Sequence, residues 1–485
     1  MVDIKILKKE LKKLTDKYPE KYYPVSVFKE LDFTRKHCKC GRYFWSKNKD
    51  LLCGECEGYQ FIGNPVGKKM SFIQVWKEFS KVMQKLGYTP IARYPVVVKG
   101  REDIFFVHAA INNFQPQVVK GEVSPPANPL IQVQPCLRFN EISNIGITGR
   151  HNTVHMHMEQ FTIQPKEKFD QAKYLKDIII WLTKGVKLPL EEIKFHEDAW
   201  GGGGNLGVSI EYFVRGLELG NQVYMTYDVK EDGTYTELRN KVLDMGSGQD
   251  RVAWVTSGEP TIYEVDYPKV MDRLRKITGV KLTPLYKNFI KHASILNIDE
   301  AADIEKAWQK VAREMNTSAQ KLKEEVQKIA ALYSVADHSQ CLLFALADGA
   351  LPNKVGGGYN LRLVYRRAYD FIKQYKWDIF IPEVCAWHAE ELELQYPELI
   401  KAIPNIRIIL ESEERKYEST LQRIKALVKS LKGKNEELTN EKLLELYDSQ
   451  GITPDLLVKE GLIKSIPSDF YIRVAKLHKE KKQKN

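Results

Sequence analysis

Four of the seven cysteines fall between Cys38 and Cys56, in HCKCGRYFWSKNKDLLCGEC, as a C-x-C…C-x-x-C pattern. The second pair, Cys53 and Cys56, has the spacing of a structural zinc site, and the first pair, Cys38 and Cys40, is tighter than usual. A metal there would fold a module too small to hold a core alone; the rival reading is a set of thiols packed without metal. A second cluster, His151, His155 and His157 in HNTVHMH, has the spacing of metal ligands on a helix but lacks the glutamate of HExxH. The alternation in TVHMHMEQF favours a strand, with His155 and His157 on one face and His151 in the preceding loop, so a catalytic zinc is not expected. A third constellation joins Arg138 in QPCLRFNE, the polar loop GRHNT, the glycine-rich turn DAWGGGGNLG and the segment DMGSGQDR. Singly these are weak: a lone arginine is an exposed surface charge, G-x-G-x-x-R a plain turn, and Trp200 and Val223 core residues. Neither GxGxxG nor GxxxxGK[ST] lies between a strand and a helix, so dinucleotide and P-loop sites are not supported.

These residues must be held by packed elements. SFIQVWKEFSKVMQKL, residues 71–86, sets apolar side chains at helical spacing, and Gly87 ends the run. Strands are expected at ARYPVVV, DIFFVHAA, LIQVQPCLRF, TVHMHMEQFTI, QVYMTYDV and YTELRNKVLDMG, with a helix from Asp170 to Val186. Short links between consecutive strands predict antiparallel pairing. After about Tyr267 long charged helices take over: IEKAWQKVAREM, SAQKLKEEVQKIAALYSVADH, YNLRLVYRRAYDFIKQY and EERKYESTLQRIKALVKSL. The expected class is α+β, divided as an N-terminal module (1–66), a sheet domain (67–268), a helical domain (269–466) and a basic tail (467–485).

The chain has 485 residues, 43% of them hydrophobic, enough for two or three domains. Ile178–Leu182, its most apolar stretch by eye, is too short to cross a bilayer, and the N-terminus lacks the features of a signal peptide, so a cytosolic location is expected. The scattered Cys136, Cys341 and Cys385 read as buried apolar residues, not as a disulfide framework. A net charge of +11 favours polyanionic partners, nucleic acid first.

The third constellation resembles the class II aminoacyl-tRNA synthetases in their alanine-specific, archaeal form. The likeness runs through EDAWGGGGNLG, RGLELGNQVYMTY, VLDMGSGQDRVAWVTSGEPT, SVADHSQCLLFALADGALP, YRRAYDFI, EERKYESTLQR and LYDSQGITPDLL, in that order. It implies an antiparallel sheet flanked by helices, followed by a mostly helical domain, and a ligase that joins alanine to its tRNA with ATP and Mg2+. Carboxylate attack on the α-phosphate of ATP requires cations to hold two anions together. The resemblance gives Arg138 to the alanine carboxylate and α-phosphate, and Arg251 to the triphosphate. His151, with Arg150 beside it, would meet the phosphates. Gly246 and Gly248 would admit the nucleotide, and Asp244 would pair with the α-ammonium. Trp200, Asn221 and Val223 would complete an alanine pocket. The family has an aromatic-acidic pair where this chain has His155 and Met156; His155 would take the adenine-stacking place. Relatives carry C-x-x-C in the first module, which makes His37-Cys40-Cys53-Cys56 as reasonable a zinc set as the four cysteines.

For alanine tRNA the resemblance implies that a G·U acceptor-stem pair is read by an aspartate, matched by Asp448 in LYDSQG, and by an asparagine, for which Asn353 lies one place before the slot held by Lys354. Arg362, Arg366 and Arg367 stand where they could meet phosphates. Relatives continue into editing and C-terminal domains that are not recognised here, so a separate editing subunit is an expected partner; no membrane or DNA partner is expected. The competing readings are a paralogue that binds RNA or regulates without activating alanine, and an adenylating enzyme that loads another carrier.

Overall fold

The computed structural model describes residues 4–101, 103–230, 232–297, 303–432, 438–450, 452, 454–465, 467, 470 and 473. Two compact units are present: residues 1–350 with 367–403, and residues 351–366 with 404–485. The expected change of texture near Tyr267 is not where these units divide. The Pro268–Thr278 and Ile381–Leu392 helices pack on each other, and Ala319–Ala347 packs on the sheet's unit as well as on Ile381–Leu392.

The first unit is built on a nine-stranded sheet in the order β1-β2-β6-β7-β8-β9-β5-β4-β3. The strands are Thr34–His37 (β1), Tyr43–Ser46 (β2), Thr89–Pro90 (β3), Leu130–Leu137 (β4), Val154–Pro165 (β5), Ile193–Gly202 (β6), Asn205–Val214 (β7), Leu217–Val229 (β8) and Tyr235–Gly248 (β9). Every pairing is antiparallel except β3 with β4, as consecutive short-linked strands require. With helices flanking the sheet, the class is α+β. The cysteine-bearing hairpin β1–β2 extends this sheet through Phe44 opposite His196 and Trp45 opposite Phe195.

Two expected strands do not form. ARYPVVV and DIFFVHAA make only an isolated bridge, Val97 to Phe106. Pro95 has no amide proton to offer a ladder, and the neighbouring backbone is spent elsewhere. Gln134 bonds both the amide and the carbonyl of Tyr94, and Val96 donates to Asp348 at 2.6 Å. Conversely, the segment read as a glycine-rich turn is the tip of a long hairpin, β6–β7. Only Gly203 (φ +57) and Gly204 (φ +82) turn, and both lie in the left-handed region that a two-residue hairpin loop demands.

Ser71 caps the Phe72–Lys85 helix in a capping box with Gln74, and Gly87 follows at φ +95. This helix and the one from Gln171 to Ile180, capped by Asp170, lie near one face of the sheet. A buried polar chain joins them to it: Gln222 donates to Gln160, Gln160 to Tyr88 and Tyr88 to Asp177, at 2.6–2.8 Å. Phe79 meets Trp181 edge-on at 5.2 Å. Among the described residues one helix, Ala319–Ala347, is long and apolar enough by composition to cross a membrane, longer than the run judged from sequence, but its apolar window is wholly buried within the protein.

Arg93 forms a bidentate pair with Asp348, side chains 8% and 9% exposed, at 2.7 and 2.9 Å. Arg93 Nε also bonds the half-exposed Glu398 at 2.8 Å, so Asp348→Ala leaves the guanidinium partly paired and the Val96 amide without its acceptor, and should lower stability by about 2 kcal/mol, measured as a lower denaturant midpoint with unchanged slope.

Candidate active site

Residues directly opposite in an antiparallel ladder point to the same face, so the register assembles the site. On β5, His155, His157 and Glu159 stand in a row, opposite Cys136, Gln134 and Gln132 of β4. Across the other edge Gly248 faces His157, Gly246 faces Glu159 and Asp244 faces Phe161. Asn221 then faces Gly246 and Val223 faces Asp244. Trp200 of β6 belongs to this side too, packed against the cluster that contains Phe114, Phe161 and Val223. His155, Trp200, Asn221, Val223, Asp244, Gly246 and Gly248, singled out far apart in sequence, therefore share one face.

The two arginines reach that face from strand ends. Arg138 follows β4, is exposed, and donates through Nε to the carbonyl of His108 at 3.0 Å. Arg251 lies in the first turn of the Gln249–Ser257 helix, directly after β9, and its guanidinium is held by Glu218 at 2.9 Å. His151 stands in the loop before β5, Nδ1 2.5 Å from Thr148 Oγ1 and Nε2 3.4 Å from Glu141. Burial, then the charges of Arg150 and Arg251, push its pKa down to about 3. His155 is hydrogen-bonded through Nδ1 to Asp250 at 3.1 Å, and burial still holds it below the usual imidazole range. Two cations beside the neutral imidazoles of His151 and His155 form a face suited to phosphates at one end.

The other end is acidic and dry. Asp244 is 6% exposed and Glu159 fully buried. Asp244 Oδ1, Glu159 Oε1, Gln132 Oε1 and both ring nitrogens of His157 lack partners. Burial lifts Asp244 to about 7; burial and the neighbouring Asp244 hold Glu159 well above the carboxylate range. Buried polar atoms left unmatched on one face mark a place prepared for a polar guest. Gly246 makes room for the His157 ring, because a Cβ there would lie 2.1 Å from His157 Nε2.

Glu159, Gln132, His157 and Asp250 were not assigned from sequence. The alternation that puts His155 on this face puts His157 and Glu159 there too, and that signal was available. Nothing local marked Asp337, whose carboxylate holds Thr153.

Away from this face, Cys38, Cys40, Cys53 and Cys56 bring their Sγ atoms within 4.8 Å of one another. Tetrahedral Zn–S bonds of about 2.3 Å place sulfurs roughly 3.8 Å apart, and Cys40 and Cys53 are at 3.7 Å. His37, the alternative ligand, is not part of this group; its ring lies against Tyr43 at 4.7 Å. The donor set fits zinc.

In the second unit, Asn353 is exposed and precedes the Gly356–Tyr375 helix, with Oδ1 accepting from Val355 N at 2.8 Å. Arg362 and Arg366 are turned inward: both lie on the buried Glu413, at 3.0 and 3.5 Å, and Arg366 covers the Tyr417 ring. The solvent-facing role expected of Arg366 is therefore replaced by an internal ion pair. Arg367, in the first unit, lies over Phe371. Asp448 belongs to the Asn440–Gln450 helix, but its side chain lies outside the described residues.

The family profile described as tRNA synthetases class II (A) matches residues 74–485. The alanine–tRNA ligase of Methanocella arvoryzae is 44% identical over 99% of this chain and 56% of its own length. That of Nitrosopumilus maritimus is 36% identical over 98% of this chain and 54% of its own. The chain thus spans about half the length of the curated relatives it matches. A solved pyrrolysyl-tRNA synthetase from Desulfitobacterium hafniense overlaps 40% of this chain at 10% identity with a TM-score of 0.29, too distant to carry argument.

With its pKa near 3, His151 is neutral through the physiological range. Because the folded value lies below the unfolded imidazole value of about 6.5, its contribution is destabilising below that pH and absent above it. Its ring resonances, assigned by comparison with His151→Gln, should show no titration step between pH 5 and 8; a step near 6.5 would contradict the buried geometry.

Proposed function

The chain belongs to the class II tRNA synthetases, and from that premise we propose that it activates alanine with ATP and transfers it to alanine tRNA. The observation that carries this reading is the single sheet face on which Trp200, Asn221, Val223 and Asp244 adjoin Gly246 and Gly248, with Arg138 and Arg251 at the strand ends.

In the first step a carboxylate oxygen of alanine attacks the α-phosphorus in line, a P–O bond forms, and the bond to pyrophosphate breaks. Little covalent help is needed from the protein; positioning and charge do most of the catalysis. Arg138, exposed beyond β4, bridges the alanine carboxylate and the α-phosphate, where a planar fork holds both anions better than an ammonium would. Arg251 releases Glu218 to lie along the triphosphate, and neutral His151 adds a hydrogen-bond donor. Magnesium bound with ATP would reduce the phosphate charge that Arg138 and Arg251 must meet. Asp244 holds the α-ammonium, Trp200 and Asn221 address the carboxylate, and Val223 walls a methyl-sized space. In the second step the terminal ribose hydroxyl of the tRNA attacks the adenylate carbonyl, and AMP leaves.

For the tRNA, Asn353 and Asp448 are proposed to read the G·U pair, while Arg366 supports the interior of its unit. Zinc on the four cysteines would fix the β1–β2 hairpin against β6 and take no part in the chemistry. The proposed location is the cytosol. Because a methyl-sized pocket cannot strongly refuse serine, hydrolysis of misloaded tRNA by a further domain or a separate editing subunit is part of the proposal.

One observation favours the second reading, an RNA-binding or regulatory paralogue without activation: His155 is tied to Asp250 where the family's adenine-stacking aromatic would lie. ATP binding without amino-acid-dependent turnover would select it.

Arg138→Ala should abolish alanine-dependent ATP–pyrophosphate exchange, by at least about 100-fold for a lost charge-assisted contact in the transition state, with far-UV circular dichroism unchanged. Undiminished exchange would overturn the assignment. Separately, a metal assay should find one zinc per chain, lost in Cys53→Ser together with thermal stability; a metal-free wild-type protein of equal stability would remove zinc from the account.

A further inference from the structure

The polar atoms beside Asp244 outnumber what a single α-ammonium pocket with one carboxylate requires. Resting on the reading of this face as an amino-acid site, we propose that Glu159 is a second acceptor for the substrate's α-ammonium, shared with Asp244. Glu159 stands on β5 opposite Gly246, and Asp244 lies two residues along β9 from Gly246 on the same face. Side chains placed diagonally in this way are separated at Cβ by roughly 5–8 Å, a gap that one ammonium with three donors spans. Gln132 donates to Glu159 Oε2 at 2.5 Å and so aims the other oxygen, Oε1, which has no partner; Asp244 Oδ1 has none either. The residue opposite Glu159 is glycine, and the His157 ring lies over it, Nε2 2.1 Å from where a Cβ would stand, so the imidazole borders the two carboxyl groups without a side chain of β9 between them.

Two buried carboxyls this close do not both ionise in an empty site; burial lifts Asp244 to about 7, burial and the neighbouring Asp244 hold Glu159 higher, and the pair keeps one proton just above neutral pH. The arriving ammonium reverses this. It donates N–H bonds to both carboxylates, and the shared proton leaves to solvent, so the empty pair carries one negative charge and the occupied trio carries one in all. The titratable groups facing the pair do not add a step between pH 6 and 8. His157 is held neutral by burial and the neighbouring His155; burial pushes the Cys136 thiol up; and burial, then Glu159 itself, raises Tyr94. The arrangement also selects for a free primary amine, since an N-acylated amino acid brings no cation to offset the second carboxylate.

The test is the alanine KM in ATP–pyrophosphate exchange by the 485-residue chain between pH 6 and 8, for wild type and Glu159→Gln. Wild-type KM should fall as pH rises through the titration of the pair, by up to about tenfold per pH unit. E159Q should raise the alanine KM by about ten- to a hundredfold, the loss of one hydrogen bond to a charged group, leave the ATP KM unchanged and flatten the pH slope. Calorimetry in buffers of differing ionisation enthalpy should find close to one proton released per alanine bound in wild type near pH 8, and close to none in E159Q. If E159Q does not fold, Gln132→Met removes only the hydrogen bond that aims Glu159 and should move the same quantities by less. A folded E159Q with wild-type KM and wild-type pH slope overturns the proposal while leaving the pocket intact. A folded wild-type chain that shows no alanine-dependent exchange at any pH sinks the pocket reading and this proposal with it.

Discussion

The carboxylate of Asp337, fully buried in the middle of the Ala319–Ala347 helix, fixes the loop that carries the candidate phosphate-binding groups. It accepts from the Thr153 amide at 2.9 Å and from the Thr153 hydroxyl at 2.6 Å. The Thr153 carbonyl in turn receives the Arg138 amide at 2.9 Å. One buried group therefore sets where β5 begins and where Arg138 leaves β4. Tyr263 holds the other side of the loop by donating to the His151 carbonyl at 2.6 Å. A buried carboxylate is costly unless its hydrogen bonds are satisfied; here three groups, Thr153 twice and His338 at 3.0 Å, meet it. The cost is offset by the rigidity it gives to the loop before β5 and to the backbone that carries Arg138.

The two faces of the sheet solve opposite problems. On the face toward Phe72–Lys85, polar side chains satisfy one another in a closed chain from Gln222 through Gln160 and Tyr88 to Asp177, so that side is core. On the other, Asp244, Glu159, Gln132 and His157 are equally buried yet each retains an unmatched atom. Unmatched buried groups destabilise the fold, and their concentration on one face is the trade between stability and function expected of a binding site. Arginines at the strand ends and carboxyls farther in make the face basic at one end and acidic at the other.

Much of the architecture was legible locally. Capping residues and helical periodicity bounded the Phe72–Lys85 helix, alternation marked β4, β5, β8 and β9, and charged helical runs marked the helices beyond Tyr267. Where local reading failed, the missing information was non-local. Apolar runs in ARYPVVV and DIFFVHAA carry strand propensity, but the Tyr94 and Val96 amides go to Gln134 and Asp348, and those of His108 and Ala109 to Asn112. The glycines of DAWGGGGNLG hid a hairpin, because only two of them turn and the others stay in strand.

The sequence by itself determined the chemistry on offer: the arginines, the glycines beside Asp244, the four cysteines, and the period-two alternation that commits His155, His157 and Glu159 to a common face. Those are properties of residue type and near spacing. Tertiary structure alone decided which distant strands became neighbours, and so that Glu159 would stand beside Asp244, that His37 would lie outside the thiol cluster, and that Arg366 would pair with Glu413 instead of facing solvent. The reason is physical: the environment of a charge or a thiol depends on what excludes water around it, and that is settled by packing between segments that no local pattern connects.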